Sequence, residues 1–152
     1  ILKKFKININ KKDSDYFKKN YLYPIPCMFG SIASKYISSA KDISDGFYGD
    51  LNKILNGKFG AKIIKKNIPI SNNSKRVILE NFSKINIDKM ISWGDDYQLI
   101  FTANKNFKNN INKLAKKNNV KLSNVGSIIK TKGIFDDSMC LIKNLSSFDH
   151  FL

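Results

Sequence analysis

Residues 42–51 read Asp-Ile-Ser-Asp-Gly-Phe-Tyr-Gly-Asp-Leu, so Asp42, Ser44 and Asp45 crowd three oxygen-bearing side chains just ahead of Gly46. Carboxylates this close repel one another unless a cation neutralises them, and hard oxygen donors suit Mg²⁺ or Ca²⁺ rather than zinc. The helix expected to follow would offer its N-terminus to anionic phosphate. A plainer reading is helix capping, in which Asp or Ser accepts an orphan backbone N–H and contributes ~1 kcal/mol. Asp50 would then lie on an exposed face. One such residue suffices for a cap, so three exceed the need, but spacing alone leaves capping and cation or phosphate binding both open.

A second acidic stretch is Trp93-Gly94-Asp95-Asp96-Tyr97-Gln98, which runs into apolar Leu99-Ile100-Phe101. By itself it reads as an acidic turn before a strand. Yet Asp and Glu total only 12 in the chain, so two tight clusters leave few carboxylates elsewhere, which favours a shared site. Trp93 is either a packing residue or a platform for an aromatic ligand. Asp136 and Asp137 read as a solvent-exposed turn. Near the C-terminus, Phe148-Asp149-His150-Phe151 contains the single histidine; among aromatics it reads as a packed side chain rather than a catalyst.

Helical and strand-like periods alternate around these clusters. Pro24 and Pro26 predict a stiff, extended segment over 21–26. Phe29, Ile32, Ala33, Tyr36 and Ile37 recur at helical spacing. Phe47, Leu51, Ile54 and Leu55 define a helix beginning after Asp45 and ending at Asn56-Gly57. Ile78, Phe82 and Ile85 suggest a third helix after a polar loop at 71–75. Phe107, Ile111, Leu114 and Ala115 suggest a fourth. Residues 59–64, 97–102, 122–129 and 139–142 read as strands, with Gly126 a candidate bulge. Because the rhythm is not strictly one-to-one, the expected class is α+β: a mixed sheet packed with about four helices. Residues 1–20 read as an incoming connector and 21–152 as one domain, with no repeat and no second core.

Composition narrows the function classes. At 152 residues, 42% hydrophobic and 26% charged, the chain fits one globular domain. No apolar run nears the ~20 residues a membrane span needs, and no signal-peptide pattern opens the chain. Because it begins at Ile1, it reads as a fragment of a longer protein. The net charge of +15 invites nucleic-acid binding, but only Arg76 among the 27 basic residues is arginine, the preferred reader of phosphates and bases. The lysines spread from Lys3 to Lys143 without forming a stripe, which favours a solvated surface over a specific nucleic-acid site. Cys27 and Cys140 form neither a zinc pattern nor a disulfide framework and are compatible with a reducing cytoplasm.

Taken in order, these segments resemble the C-terminal domain of the thiamine-monophosphate kinase family, in the superfamily of aminoimidazole ribonucleotide synthetase and selenophosphate synthetase. Residues 42–51 look like that family's DxSDGLxxDL segment, and residues 94–102 are similar to its GEDYELLFT segment. Residues 21–26, Val125-Gly126-Ser127-Ile128 and Phe148-Asp149-His150-Phe151 match further positions in the same order, as do Gly60-Ala61 and Ile68-Pro69. The resemblance implies a fold like the C-terminal domain of aminoimidazole ribonucleotide synthetase. It also implies ATP-dependent phosphorylation of thiamine monophosphate to thiamine diphosphate.

By motif position, Asp42 and Asp45 would be Mg²⁺ ligands, Ser44 an ATP contact, and Asp95 and Phe148 contacts to the thiamine substrate. No residue is assigned as a catalytic acid or base. The family also implies an N-terminal domain that carries the ATP site, further acidic ligands and most of a homodimer interface. Three positions depart from its pattern: Trp93 stands where glycine is common, Gln98 replaces glutamate, and Cys27 falls where arginine often follows the Pro-x-Pro segment. A non-catalytic binding or assembly module of the same fold is the alternative these departures would suit.

Overall fold

The computed structural model describes residues 7–25 and 27–143. Phe148, Asp149, His150 and Pro26 lie outside the described residues. The chain folds as α+β, with two small sheets and six α-helices among the described residues, more helices than the four expected.

Within the stretch expected as a connector, residues from Lys11 onward form helix α1 (Lys11–Leu22), and Asn10 caps it by accepting from the Asp13 N–H. Tyr21 and Leu22 therefore end a helix instead of starting an extended segment. The apolar period at 29–37 divides into a one-turn helix α2 (Phe29–Ile32), a 3-10 turn at Ser34–Tyr36, and strand β1 (Ile37–Asp42). Helix periodicity overran this region because Tyr36 and Ile37 are apolar for different reasons. Both pack against one cluster, the first from the turn and the second from the start of the strand.

Helix α3 (Phe47–Leu55) matches its expected span, ending where Asn56 takes a left-handed φ of 49° and Gly57 follows at 63°. Strand β2 (Gly60–Ile63) leads to α4 (Asn72–Glu80), capped by Ser71 and so begun inside the stretch expected as a polar loop. Short helix α5 (Ile87–Ile91) precedes the second acidic stretch. Strand β3 (Leu99–Ala103), helix α6 (Lys108–Lys117), and strands β4 (Gly126–Ile129) and β5 (Gly133–Phe135) complete the order.

Strands β1 and β3 pair antiparallel, with Asp42 opposite Leu99. In the other sheet β2 is central, antiparallel to β4 and parallel to β5. The expected last strand at 139–142 is reduced to a single bridge from Leu141 to Phe135. Gly126 is not a bulge. It pairs in register with Ile63, and a Cβ there would meet the Lys62 carbonyl oxygen at 2.1 Å.

Among the described residues, buried apolar side chains fall into three clusters. In the largest, Phe47, Tyr48, Leu51 and Leu55 of α3 pack on Ala61 and Ile63 of β2, Ile100 of β3 and Ile134 of β5. Burying each large side chain contributes about 1.5–3 kcal/mol, so this cluster anchors α3 between the two sheets. Phe29, Ala33, Ile111 and Ala115 form a second cluster, and Ile7, Val77 and Ile85 a third. Trp93 is partly buried and packs against the third.

Candidate functional site

The site begins where β1 ends. Its pairing with β3 delivers Asp42 to the sheet margin, and the chain then turns through Ile43, Ser44, Asp45 and Gly46 into α3. The second acidic stretch lies alongside this loop, held by backbone hydrogen bonds. The Ile43 N–H donates to the Gln98 carbonyl, the Tyr97 N–H to the Ile43 carbonyl, and the Asp95 N–H to the Ser44 carbonyl, each at 2.9 Å. Two clusters some fifty residues apart in sequence thus form one surface, as the concentration of carboxylates suggested.

Two glycines permit this approach. A Cβ at Gly94 would lie 2.1 Å from the Ser44 carbonyl oxygen, and one at Gly46 would lie 2.5 Å from the Ser92 carbonyl oxygen. Gly46 also has φ 93°. The turn is tight enough to place the non-glycine residues Asp95 and Tyr97 at φ 66° and 52°, which costs backbone energy.

Capping does not account for the first cluster. The N-cap of α3 is Gly46, with no side-chain cap hydrogen bond, so neither Ser44 nor Asp45 serves that purpose. Asp50, which the capping alternative would leave on an exposed face, is fully buried. Its Oδ2 accepts from the backbone N–H groups of both Ser44 and Asp45 at 2.8 Å. Its Oδ1 accepts from the Lys53 ammonium at 3.0 Å, and the Lys41 ammonium is 3.7 Å away. Burial works to raise the Asp50 pKa, but the hydrogen bonds from Asp45, Lys53 and Ser44 prevail and hold it below the ordinary aspartate value.

Asp45 is partly exposed and also paired with Lys53. Hydrogen bonds first to Asp45 and then to Asp50 raise the Lys53 pKa, keeping it cationic. Asp42 is exposed and, among the described residues, makes no ion pair. With Pro24, Cys27, Tyr97 and Leu99 it lines an open hollow of about 260 Å³. Tyr97 donates its hydroxyl to Asp95 at 3.1 Å, and that bond is the main cause of its raised pKa. Burial of the Asp96 carboxyl, and then the Asp95 charge, push Asp96 up to about 6. Asp96 as a whole remains exposed, and solvent contact moderates that rise. Gln98 is exposed, and its structural part in the site is the backbone carbonyl that holds Ile43.

The donor set fits part of a magnesium site. Mg²⁺ takes one or two carboxylates and completes its octahedron with water and phosphate oxygens. Asp42 and Asp45 offer that many, although Asp45 is already paired with the Lys53 ammonium. Among the described residues no group of three or more His, Cys, Asp or Glu side chains is gathered to hold a metal by itself. No helix there is long and apolar enough to cross a membrane. Cys27 and Cys140 are both free and exposed.

No established family profile matches the sequence. Comparison with curated proteins finds thiamine-monophosphate kinases. The protein from Buchnera aphidicola subsp. Schizaphis graminum is 35% identical over 152 residues, covering 94% of this chain and 45% of that protein. Its counterpart from Buchnera aphidicola subsp. Acyrthosiphon pisum is 33% identical over 150 residues, covering 95% and 45%. The chain therefore spans a little under half the length of these relatives.

Among solved structures, thiamine-monophosphate kinase from Stenotrophomonas maltophilia superposes with a TM-score of 0.72 at 26% identity, over 86% of this chain and 41% of that one. AaThiL complexed with AMPPCP and TMP superposes over 99% of this chain and 46% of its own, with a TM-score of 0.75 at 23% identity. E. coli HypE, a hydrogenase maturation protein, shares the fold at 10% identity, with a TM-score of 0.59 over 80% of this chain and 38% of its own.

Proposed function

We propose that this chain, homologous over most of its length to just under half of thiamine-monophosphate kinase, forms the acceptor- and metal-binding part of an enzyme that phosphorylates thiamine monophosphate with ATP. The observation that carries this reading is the hydrogen-bonded union of the 43–46 loop with the 94–98 turn. That union joins Ser44 to Asp95 through the backbone, next to the hollow that Asp42 and Tyr97 line.

The transfer breaks the bond between the β,γ-bridging oxygen and the γ-phosphorus of ATP and forms one from a phosphate oxygen of thiamine monophosphate, giving ADP and thiamine diphosphate. The acceptor oxygen is already anionic near neutrality, so no general base is required. The protein must hold two polyanions in line and offset their repulsion. Asp42 and Asp45 would hold Mg²⁺, which supplies neutralisation of the phosphate oxygens when bound. In this reading Ser44, whose hydroxyl lies 3.4 Å from the Asp45 carboxylate, contacts ATP. Asp95, fixed by its N–H on Ser44 and by the Tyr97 hydroxyl, faces the thiamine substrate. In this reading Phe148 adds an aromatic contact to that substrate. A preceding domain of the same polypeptide supplies the rest of the ATP site and most of a homodimer interface.

The test is thiamine diphosphate formation by the complete polypeptide. Asp45→Asn should reduce turnover ~100-fold or more while leaving thermal unfolding cooperative. Near-normal turnover would remove Asp45 from the mechanism. Residues 1–152 alone should form no product, and activity from them would contradict the division of the site between two domains.

A further inference from the structure

Asp50 has no place among the groups that would touch substrate, yet it is the most completely enclosed carboxylate near them. Its side chain is wholly shielded from solvent. It does not pair with a single cation, as a carboxylate holding two elements together would. One oxygen collects two consecutive backbone amides, from Ser44 and Asp45, and the other meets the ammonium that continues to the Asp45 carboxylate. Consecutive N–H groups converging on one anion form a concavity normally seen around a bound anion. Here the anion belongs to the chain itself, five and six residues further on.

We propose that Asp50 is a positioning residue, the internal anion around which the 43–46 loop is wound, so that the Ser44 hydroxyl and the Asp45 carboxylate are turned outward before any ligand arrives. Three features converge on this role. The two amides cannot turn toward another acceptor without abandoning a buried charge, which is costly. Gly46 and Gly94 let the backbone close tightly enough to bring both N–H groups to one oxygen. Lys53, one helical turn beyond Asp50, reaches back and fixes the far side of the Asp45 carboxylate. Asparagine at position 50 would keep an oxygen for the amides but turn an N–H₂ toward the Lys53 ammonium, setting donor against donor. The proposal rests on the reading of Asp42 and Asp45 as metal ligands, and its test separates the two.

The experiment uses the complete polypeptide, with three readouts: hydrogen exchange at the Ser44 and Asp45 amides, Mn²⁺ binding followed by electron paramagnetic resonance, and the Mg²⁺ dependence of turnover. In the unaltered protein both loop amides should exchange as slowly as those of β1. Rapid exchange there overturns the proposal, without any variant having to fold. In Asp50→Asn the two amides should exchange ~10-fold faster or more, and Mn²⁺ affinity should fall ~10-fold or more. Tyr48→Phe is the control. It removes the hydroxyl that donates to Asp88 at 2.8 Å from the same helix, and so weakens packing without touching the loop. It should leave Mn²⁺ affinity unchanged. Unchanged amides and affinity in Asp50→Asn, or the same losses in Tyr48→Phe, would refute the positioning role. If the unaltered protein binds no Mn²⁺, the metal reading fails, while the amide exchange still decides whether Asp50 organises the loop.

Discussion

Among the described residues two aspartates are wholly buried, and they are satisfied in opposite ways. Asp13 in α1 is closed by side chains: the Arg76 guanidinium donates through two nitrogens, and the Asn10 and Asn73 amides complete its shell. The Arg76 hydrogen bonds, foremost, hold its pKa down to about 2. The partners come from the cap of α1 and from α4, so the carboxylate ties one helix to another. Asp50 takes two of its bonds from backbone amides and its cations from Lys41 and Lys53. A carboxylate enclosed by side chains fixes the positions of elements. One that gathers main-chain amides dictates the path of a loop and the direction of the side chains it carries.

The sharpest break between the two regions should be catalytic. Asp45→Asn should cost ~100-fold or more in turnover with little change in melting temperature, whereas Asp13→Asn should lower the melting temperature and leave turnover per folded molecule unchanged. If Asp13→Asn altered turnover at a temperature where it is fully folded, the separation of roles would fail. Thermal scans and steady-state rates on the same preparations check both.

Next in size is Gly94→Ala. The new Cβ would sit against the Ser44 carbonyl, forcing the two acidic segments apart at a cost of about 1–3 kcal/mol. Denaturant unfolding measures that loss, and turnover should fall with it, because the displaced residue contacts the site loop directly.

Two pH dependences of opposite sign should be smaller. Asp13 has a depressed pKa in the folded state, so its contribution is present above the ordinary value of 3.8 and is lost as pH falls from there toward 2. Asp13→Asn should remove that dependence. Asp96 has a raised pKa, so its contribution is present below 3.8 and lost as pH rises through about 6. Asp96→Asn should therefore stabilise the protein more at pH 7.5 than at pH 4. The effect is modest because Asp96 keeps contact with solvent, and equal stabilisation at both pH values would show that its charge is not strained.

Much of this was legible in the sequence where apolar period and terminator agree. Phe47, Leu51 and Leu55 with Asn56-Gly57 mark the span of α3, and Ile111 with Ala115 marks the buried face of α6. Strand β1 was not legible. Ile-Ser-Ser-Ala-Lys-Asp carries one strong β-former, and its existence depends on pairing with β3, sixty residues away. The neighbourhood of the two acidic stretches could be argued only from the scarcity of carboxylates, since the backbone bonds that join them leave no mark on side-chain type. The burial of Asp50 does carry a signal in the sequence. Asp50 stands three residues after Phe47 and four before Ile54, on the apolar face of its own helix, where a carboxylate survives only if it is fully hydrogen-bonded.

The most direct test of the central claim is anomalous diffraction from crystals of the complete polypeptide with Mn²⁺, a non-hydrolysable ATP analogue and thiamine monophosphate. The account predicts an Mn²⁺ peak within about 2.0–2.3 Å of a carboxylate oxygen of Asp42 or Asp45, with Lys53 withdrawn from any oxygen the metal takes. Peaks confined to other residues, with Asp45 still paired to Lys53 and Asp42 facing only water, would contradict it.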